Sequence, residues 1–301
     1  MALDSLANLY SAQGHHAEAE PLFRRSLAIR EKEAQRDNPD DAGVSNALNS
    51  LARLYVAQGR LAEAEPLFER SVSIREKVFG PDHPEVAAAL TNQAGLYHDQ
   101  GRDAEAERLY RRSLDILENR LPAGHHHLGA VLHNLALLYK DQGRYAEAEP
   151  LFKRSLGIIE TALGPEHLDV STALNNLAEL AALQGDWAMA ADYSRRSADI
   201  IKRRAECGLG GGRGEQMGGE ARRLAKPFLA LVSASHRLAD SSPSQRLAAD
   251  MFETAQWVQG SEAAASLAQM AARSARGLPE LAQLVRERQD LVGEGRSKIG
   301  S

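Results

Sequence analysis

The chain has 301 residues, of which 43% are hydrophobic and 5% aromatic, with a formal net charge of −5 and a pI near 6.1. That length holds one long array or two domains, and the acidic balance argues against a nucleic-acid partner, which selects a basic excess. The lone Cys207 excludes an intramolecular disulfide and fits a reducing compartment. No apolar run approaches the ~20 residues that span a bilayer. "MALDSLANLY" at the N-terminus has neither a basic nor an apolar signal-peptide segment. The expectation is a soluble cytoplasmic protein with no membrane contact and no cofactor. Alanine, leucine, glutamate, arginine and glutamine dominate, and these side chains lose little rotamer freedom in a helix.

One phrase recurs along the chain. It reads "AQGHHAEAEPLFRRSL" at 12–27, "AQGRLAEAEPLFERSV" at 57–72, "DQGRDAEAERLYRRSL" at 99–114, "DQGRYAEAEPLFKRSL" at 141–156 and, worn, "LQGDWAMAADYSRRSA" at 183–198. Its glycines, Gly14, Gly59, Gly101, Gly143 and Gly185, are spaced by 45, 42, 42 and 42 residues, the period of a solenoid. Each repeat holds two amphipathic stretches. In the second repeat they fall at about 44–57 and 61–78, with Leu48, Leu51, Ala52 and Tyr55 at helical spacing. Gly59 ends the first stretch, where a residue without Cβ turns left-handed at least cost. Ala64, Phe68 and Ser71 give the second a small-large-small face. A single hairpin cannot cover its own apolar side, whereas stacked neighbours can.

Leu48, Ala52, Tyr55, Gly59, Ala64, Phe68, Ser71 and their equivalents resemble the tetratricopeptide repeat. The 42-residue period and the "GPDHPEV" turn resemble its kinesin light chain type. The resemblance implies an all-α, right-handed superhelical solenoid of five helix-turn-helix repeats over 1–204, at about 1–38, 43–80, 84–122, 126–164 and 168–204. The fifth departs from the pattern, with Ala181 for tyrosine and Tyr193-Ser194 for Leu-Phe, as a cap would. Leu3 already stands at the first consensus position, so the chain reads as a piece of a longer array.

Histidines offer candidate chemistry. His125, His126, His127 and His133 could suggest a metal cluster. His83, His125 and His167, however, recur at 42-residue spacing in one turn, which predicts a structural part in ordering the chain before the next helix. No metal site is expected. The serines Ser26, Ser71, Ser113, Ser155 and Ser197 lack a histidine at fixed offset to activate them and read as packing residues. The carboxylates of "EAEP" are expected on solvated helix faces. No catalytic constellation emerges, so no enzyme is expected.

The first helices carry a stripe outside the apolar set. It holds Asp4, Asn8 and Ser11; Asn49, Arg53 and Val56; Thr91, Gly95 and His98; His133, Leu137 and Lys140; Asn175, Glu179 and Ala182. In the tetratricopeptide fold such positions line the concave surface. Beside the stripe, Asn92, Asn134 and Asn176 recur every 42 residues. Two readings stay open for these asparagines. Their amides suit the backbone of an extended peptide, or they bond between neighbouring helices. In kinesin-light-chain-type repeats the "LNNLA" asparagines contact peptide cargo, and "LNNLA" stands here at 174–178, with "LHNLA" at 132–136 and "LTNQA" at 90–94. The partner expected on this resemblance is a protein or peptide.

"GLGGGRGEQMGG" at 208–219 lacks a phosphate-loop signature and reads as a flexible linker across 205–219. Beyond it the period stops. Helices are expected at about 218–239, 244–259, 261–276 and 279–293. "AADMFETAQWVQGSEAAASLAQMAARSARG" and "LAQLVRERQDL" resemble the connector that precedes a caspase-like (CHAT) domain in bacterial proteins. On that resemblance 220–301 is a helical connector without its effector domain. A caspase-like effector is then a further expected partner, and the chain reads as the regulatory part of such a peptidase, truncated or separately encoded.

Overall fold

The computed structural model describes residues 2–37 and 42–206, together with Ala234. The described residues form ten α-helices and no strand. They are α1 (Ala2–Ala12), α2 (His16–Asp37), α3 (Ala42–Ala57), α4 (Leu61–Phe79), α5 (Pro84–Asp99), α6 (Asp103–Arg120), α7 (His126–Asp141), α8 (Tyr145–Leu163), α9 (Leu168–Gln184) and α10 (Trp187–Glu206). The fold is the all-α tetratricopeptide solenoid. The glycine linker, Cys207 and the connector lie outside the described residues, Ala234 excepted. The chain divides within α8 into two compact units, Met1–Ile158 and Ile159–Ser301.

In the first unit α1, α3 and α5 each pair with the even-numbered helix that follows, and α2, α4 and α6 pack on the next first helix. The turn inside each pair is closed by glycine. Gly59 has φ +74°, and the amide of Arg60 returns to the Tyr55 carbonyl at 2.8 Å. Apolar residues at helical spacing fill the seams. Phe23 and Ala19 of α2 pack with Leu51, Leu54 and Tyr55 of α3, and with Phe68 of α4.

The recurring serines bond as well as pack. Ser71, Ser113 and Ser155 are fully buried. Their hydroxyls reach the first helix of the same repeat: Ser71 meets the Ser45 hydroxyl at 2.8 Å, Ser113 donates to the Ala87 carbonyl at 2.8 Å, and Ser155 to the Gly129 carbonyl at 2.7 Å. In the second unit, the Ser197 hydroxyl lies 2.7 Å from that of Ser171. A small residue lets the helices approach, and its hydroxyl is satisfied at the crossing.

Successive repeats are joined by one arginine each. Arg60, Arg102 and Arg144 follow the turn glycines and lie 4.1, 4.0 and 4.0 Å from the ring centroids of Tyr55, Tyr97 and Tyr139. Arg102 donates to Glu105 of its own helix at 2.7 Å and to Glu65 of the preceding repeat at 2.5 Å. Arg144 does the same with Glu147 at 2.7 Å and Glu107 at 2.7 Å, and Arg60 with Glu63 at 2.6 Å and Glu20 at 2.9 Å. The second glutamate of "AEAE", expected on a solvated face, is instead the acceptor for the following repeat. Glu20 and Glu107 keep only 16% and 18% of their side-chain surface exposed.

A second ladder runs along the even-numbered helices. Arg70 pairs with Glu31, Arg112 with Glu76 and Arg154 with Glu118. In the second unit Arg196 pairs with Glu160. These exposed pairs fix register more than they stabilise, since each is worth about 0–1 kcal/mol.

Arg75 makes a deeper joint between the second and third repeats. It is 7% exposed and donates to Ser45 Oγ, Asn46 Oδ1 and both the carbonyl and carboxylate of Glu85. Burial pulls its pKa below the ordinary guanidinium value. Arg75→Met should therefore lower stability in urea by about 1–3 kcal/mol, because it strands buried acceptors.

Hydrogen bonds from Arg102 and Arg144 hold the Glu65 and Glu107 carboxyls below the ordinary glutamate value. A folded-state pKa below the unfolded one adds stability that is complete above the unfolded value, about 4.3. That stability is lost as pH falls through the folded value. The melting temperature should drop on acidification below about pH 5. Glu107→Gln should make that drop shallower and leave the slope between about pH 6 and 8 unchanged.

Candidate functional site

The odd-numbered helices of the first unit lie side by side. A direct bond marks this, from Asn92 Nδ2 of α5 to Asn49 Oδ1 of α3 at 2.8 Å. One face of the unit is thus built from first helices, and the predicted stripe falls on it. Its residues separate into engaged and unengaged groups.

Asn49 and Asn92 serve each other across the repeat boundary, so Asn92 bonds between neighbouring helices. Asn134 has the same register one repeat later, but the position of Asn49 is there Thr91. The Thr91 hydroxyl turns to the Ala87 carbonyl and the Ser113 hydroxyl, both at 2.8 Å. Asn134 is half-buried and has no hydrogen-bond partner among the described residues. His98 bridges two repeats, with Nδ1 3.1 Å from Asp103 and Nε2 3.2 Å from Asp141. Lys140 approaches Asp141 at 4.0 Å. The His133 ring stands edge-on to Phe152 with centroids 5.5 Å apart. Arg53 is exposed and makes no ion pair or hydrogen bond among the described residues. Its equivalent on α5 is Gly95, where a Cβ would stand 3.5 Å from the Tyr110 hydroxyl of α6.

The second unit carries Asn175, Asn176 and Glu179 on α9. The Asn175 Oδ1 atom is buried without a hydrogen-bond partner. Glu179 is exposed, and it and Asn176 take part in other contacts. An open cleft in this unit is lined by Leu163, Gly164, Pro165, Glu166, His167, Arg203 and Arg204. Glu166 already engages both arginines there, through its carboxylate to Arg203 at 3.0 Å and its carbonyl to Arg204 at 3.4 Å.

The recurring histidines are helix caps. Nδ1 of His83, His125 and His167 accepts the amide of the residue two further on, Glu85, His127 and Asp169, at 3.2, 3.3 and 3.2 Å. One of the amides left open by each helix start is satisfied this way. At α7 the caps become a cluster. The imidazoles of His125, His126 and His127 each offer a nitrogen within 4.8 Å of the others, and His126 and His127 are exposed. Burial, then the neighbouring His126 and His125, lowers the His127 pKa. Among the described residues this is the one group of three or more metal-ligating side chains so close together. No helix among the described residues is long and apolar enough to cross a membrane.

Sequence profiles described as tetratricopeptide repeat match residues 43–119 and 127–203, and a second such profile matches 1–40. No curated protein matches the chain in sequence. Solved structures do resemble it. BtubC (BKLC) from P. vanneervenii superposes with a TM-score of 0.64 at 19% identity, covering 80% of this chain and 91% of that one. A kinesin light chain-type protein of Podosopora anserina with nearly identical TPR-like repeats gives 0.54 at 26% identity, over 67% of this chain and 94% of that one. PilW, a type IV pilus biogenesis factor, gives 0.57 at 18% identity, over 88% and 96%.

A zinc titration tests the histidine cluster. The Nδ1 of His125 is committed to the cap, and tight zinc sites take four ligands. Zinc should therefore leave the melting temperature within about 1 °C, whereas His125→Ala alone should cost about 1 kcal/mol, as lost caps do. A tight one-to-one complex abolished in the triple His125→Ala, His126→Ala, His127→Ala variant would assign the cluster to metal.

Proposed function

The chain belongs to the tetratricopeptide repeat family, and from that premise we propose that it is a non-catalytic scaffold binding an extended peptide segment on the first-helix face. The family's fold supports the broader reading of a protein–protein interaction scaffold. The narrower one rests on how the first unit spends its polar residues. Residues that recur with the period are consumed by neighbours: arginine by glutamate, serine by the first helix, Asn92 by Asn49. What is left unengaged on the first-helix face of α3, α5 and α7 includes Arg53, which does not recur with the period, and the amide of Asn134, whose periodic partner position is taken by Thr91, with Gly95 between them. A peptide laid across α3, α5 and α7 would bring a carboxylate or carbonyl to Arg53 and a main-chain group to Asn134.

The alternative, a regulatory portion of a caspase-like peptidase, rests on sequence at 220–292, which lies outside the described residues except for Ala234. The DNA following codon 301 discriminates it, by the presence or absence of a domain with paired Cys and His.

Peptides selected from a displayed random library on the full chain test the proposal. Asn134→Ala should weaken a selected peptide by about two- to tenfold, the worth of one neutral hydrogen bond, without lowering the melting temperature. Asn92→Ala should lower the melting temperature, and Arg53→Ala should change which peptides are selected. Unchanged affinity in the Asn134 and Arg53 variants, with loss on Arg112→Gln of the outer ladder, would place binding on the opposite face.

A further inference from the structure

The third repeat departs from its neighbours at two positions that meet in space. The aromatic residue of the second helix is Phe23, Phe68 and Phe152 in α2, α4 and α8, but Tyr110 in α6. On the first helices, the register that holds Arg53 in α3 and Leu137 in α7 holds Gly95 in α5. A Cβ added at Gly95 would meet the Tyr110 hydroxyl at 3.5 Å and, among the described residues, no other non-adjacent side chain. The tyrosine thus aims its hydroxyl at the first-helix face, at the point where glycine puts no side chain over it.

That hydroxyl is unanswered. Tyr110 is 3% exposed, and its hydroxyl has no hydrogen-bond partner among the described residues. Packing does not call for it, because phenylalanine fills the same position in the other three helices and is as deeply buried there. A buried polar group without a partner costs stability until something bonds to it. Burial, then the charge of Asp99, raises the Tyr110 pKa, so the group stays protonated and remains a donor. Asp99 ends α5 one turn after Gly95, is exposed and has no partner among the described residues.

We propose that Gly95 and Tyr110 form a subsite for an asparagine or glutamine side chain of a bound peptide. The subsite rests on the peptide reading given above and names one side chain that the first-helix face selects. The amide oxygen enters the space a side chain at Gly95 would fill and accepts from the Tyr110 hydroxyl. The amide nitrogen donates to the Asp99 carboxylate. A primary amide supplies both groups on one rigid plane. A carboxylate would accept from the hydroxyl but meet the Asp99 charge, and an ammonium has no acceptor for the hydroxyl proton. Arg53 and Asp99 have opposite charges, which favours a neutral side chain beside them.

The probe is a displayed library of random peptides, selected on the full chain and on each variant. Selection on the parent should enrich asparagine or glutamine at one peptide position. Tyr110→Phe should abolish that enrichment and weaken a selected peptide by about two- to tenfold, the worth of one hydrogen bond. It should not weaken the same peptide with leucine in place of the amide residue. Gly95→Ala should weaken the amide peptide as well, yet raise the urea midpoint, since alanine is the better helix former and its Cβ makes only ordinary contact. Asp99→Lys should replace the amide enrichment by aspartate or glutamate. Peptides that need Arg53 and Asn134 but show no amide enrichment, or that bind Tyr110→Phe and Gly95→Ala as tightly as the parent, would overturn the subsite alone. Peptides indifferent to Arg53→Ala, Asn134→Ala, Tyr110→Phe and Gly95→Ala, or failure to select any peptide, would overturn the first-helix-face reading and the subsite with it.

Discussion

One side chain per repeat, the arginine after the turn glycine, sets how neighbouring hairpins of the first unit meet. It lies flat on the tyrosine of its own first helix, holds the first glutamate of its own second helix, and reaches the second glutamate of the repeat before. A guanidinium does this where an ammonium would not: its planar fork carries five donors and a stacking face, so one group satisfies two carboxylates and an aromatic ring together. Glu20 and Glu107 are largely covered, so their charges must be answered there. With the clamp formed, the even-numbered helices are in register for the outer arginine–glutamate ladder, and the odd-numbered helices come close enough for Asn92 to reach Asn49.

The division of labour that follows is the basis for the functional reading. A residue that repeats meets the same neighbour wherever that neighbour repeats too, and the clamp arginines, their glutamates and the crossing serines are used up inside the stack in this way. A residue that changes from repeat to repeat has no such neighbour. The series Arg53, Gly95, Leu137 occupies one register with a cation, no side chain and an apolar side chain. Thr91 in place of an asparagine illustrates how a single substitution shifts a residue between the two classes. Thr91 turns its hydroxyl into its own hairpin, and Asn134 is left without the acceptor that Asn92 has.

Much of the fold was legible because periodicity reports stacking directly. The glycine spacing located the hairpins, and the recurrence of His83, His125 and His167 pointed to a turn role that the caps bear out. The clamp and ladder joints between repeats were not legible, because they pair residues 36–40 positions apart whose types are common on any solvated helix. The glutamates of "AEAE" looked like surface charge for that reason. The signal that could have found them was covariation inside the phrase itself: His15 and Asp186 replace the clamp arginine in the two terminal repeats, and Ala191 replaces the second glutamate in the last. Arg75 gave little signal: only Arg30 of the first repeat matches it, and its later equivalents Leu117, Ile159 and Ile201 are apolar.

A double-mutant cycle between Arg102 and Glu65 tests the clamp most directly, by urea unfolding of the parent, Arg102→Gln, Glu65→Gln and the double variant. A joint that holds successive repeats requires strong non-additivity: the double variant should be hardly less stable than either single one, and the coupling should fade below about pH 4 as the carboxylate protonates. Additive losses, with the double variant as destabilised as the sum of the two, would show that the residues stand near each other without joining the repeats.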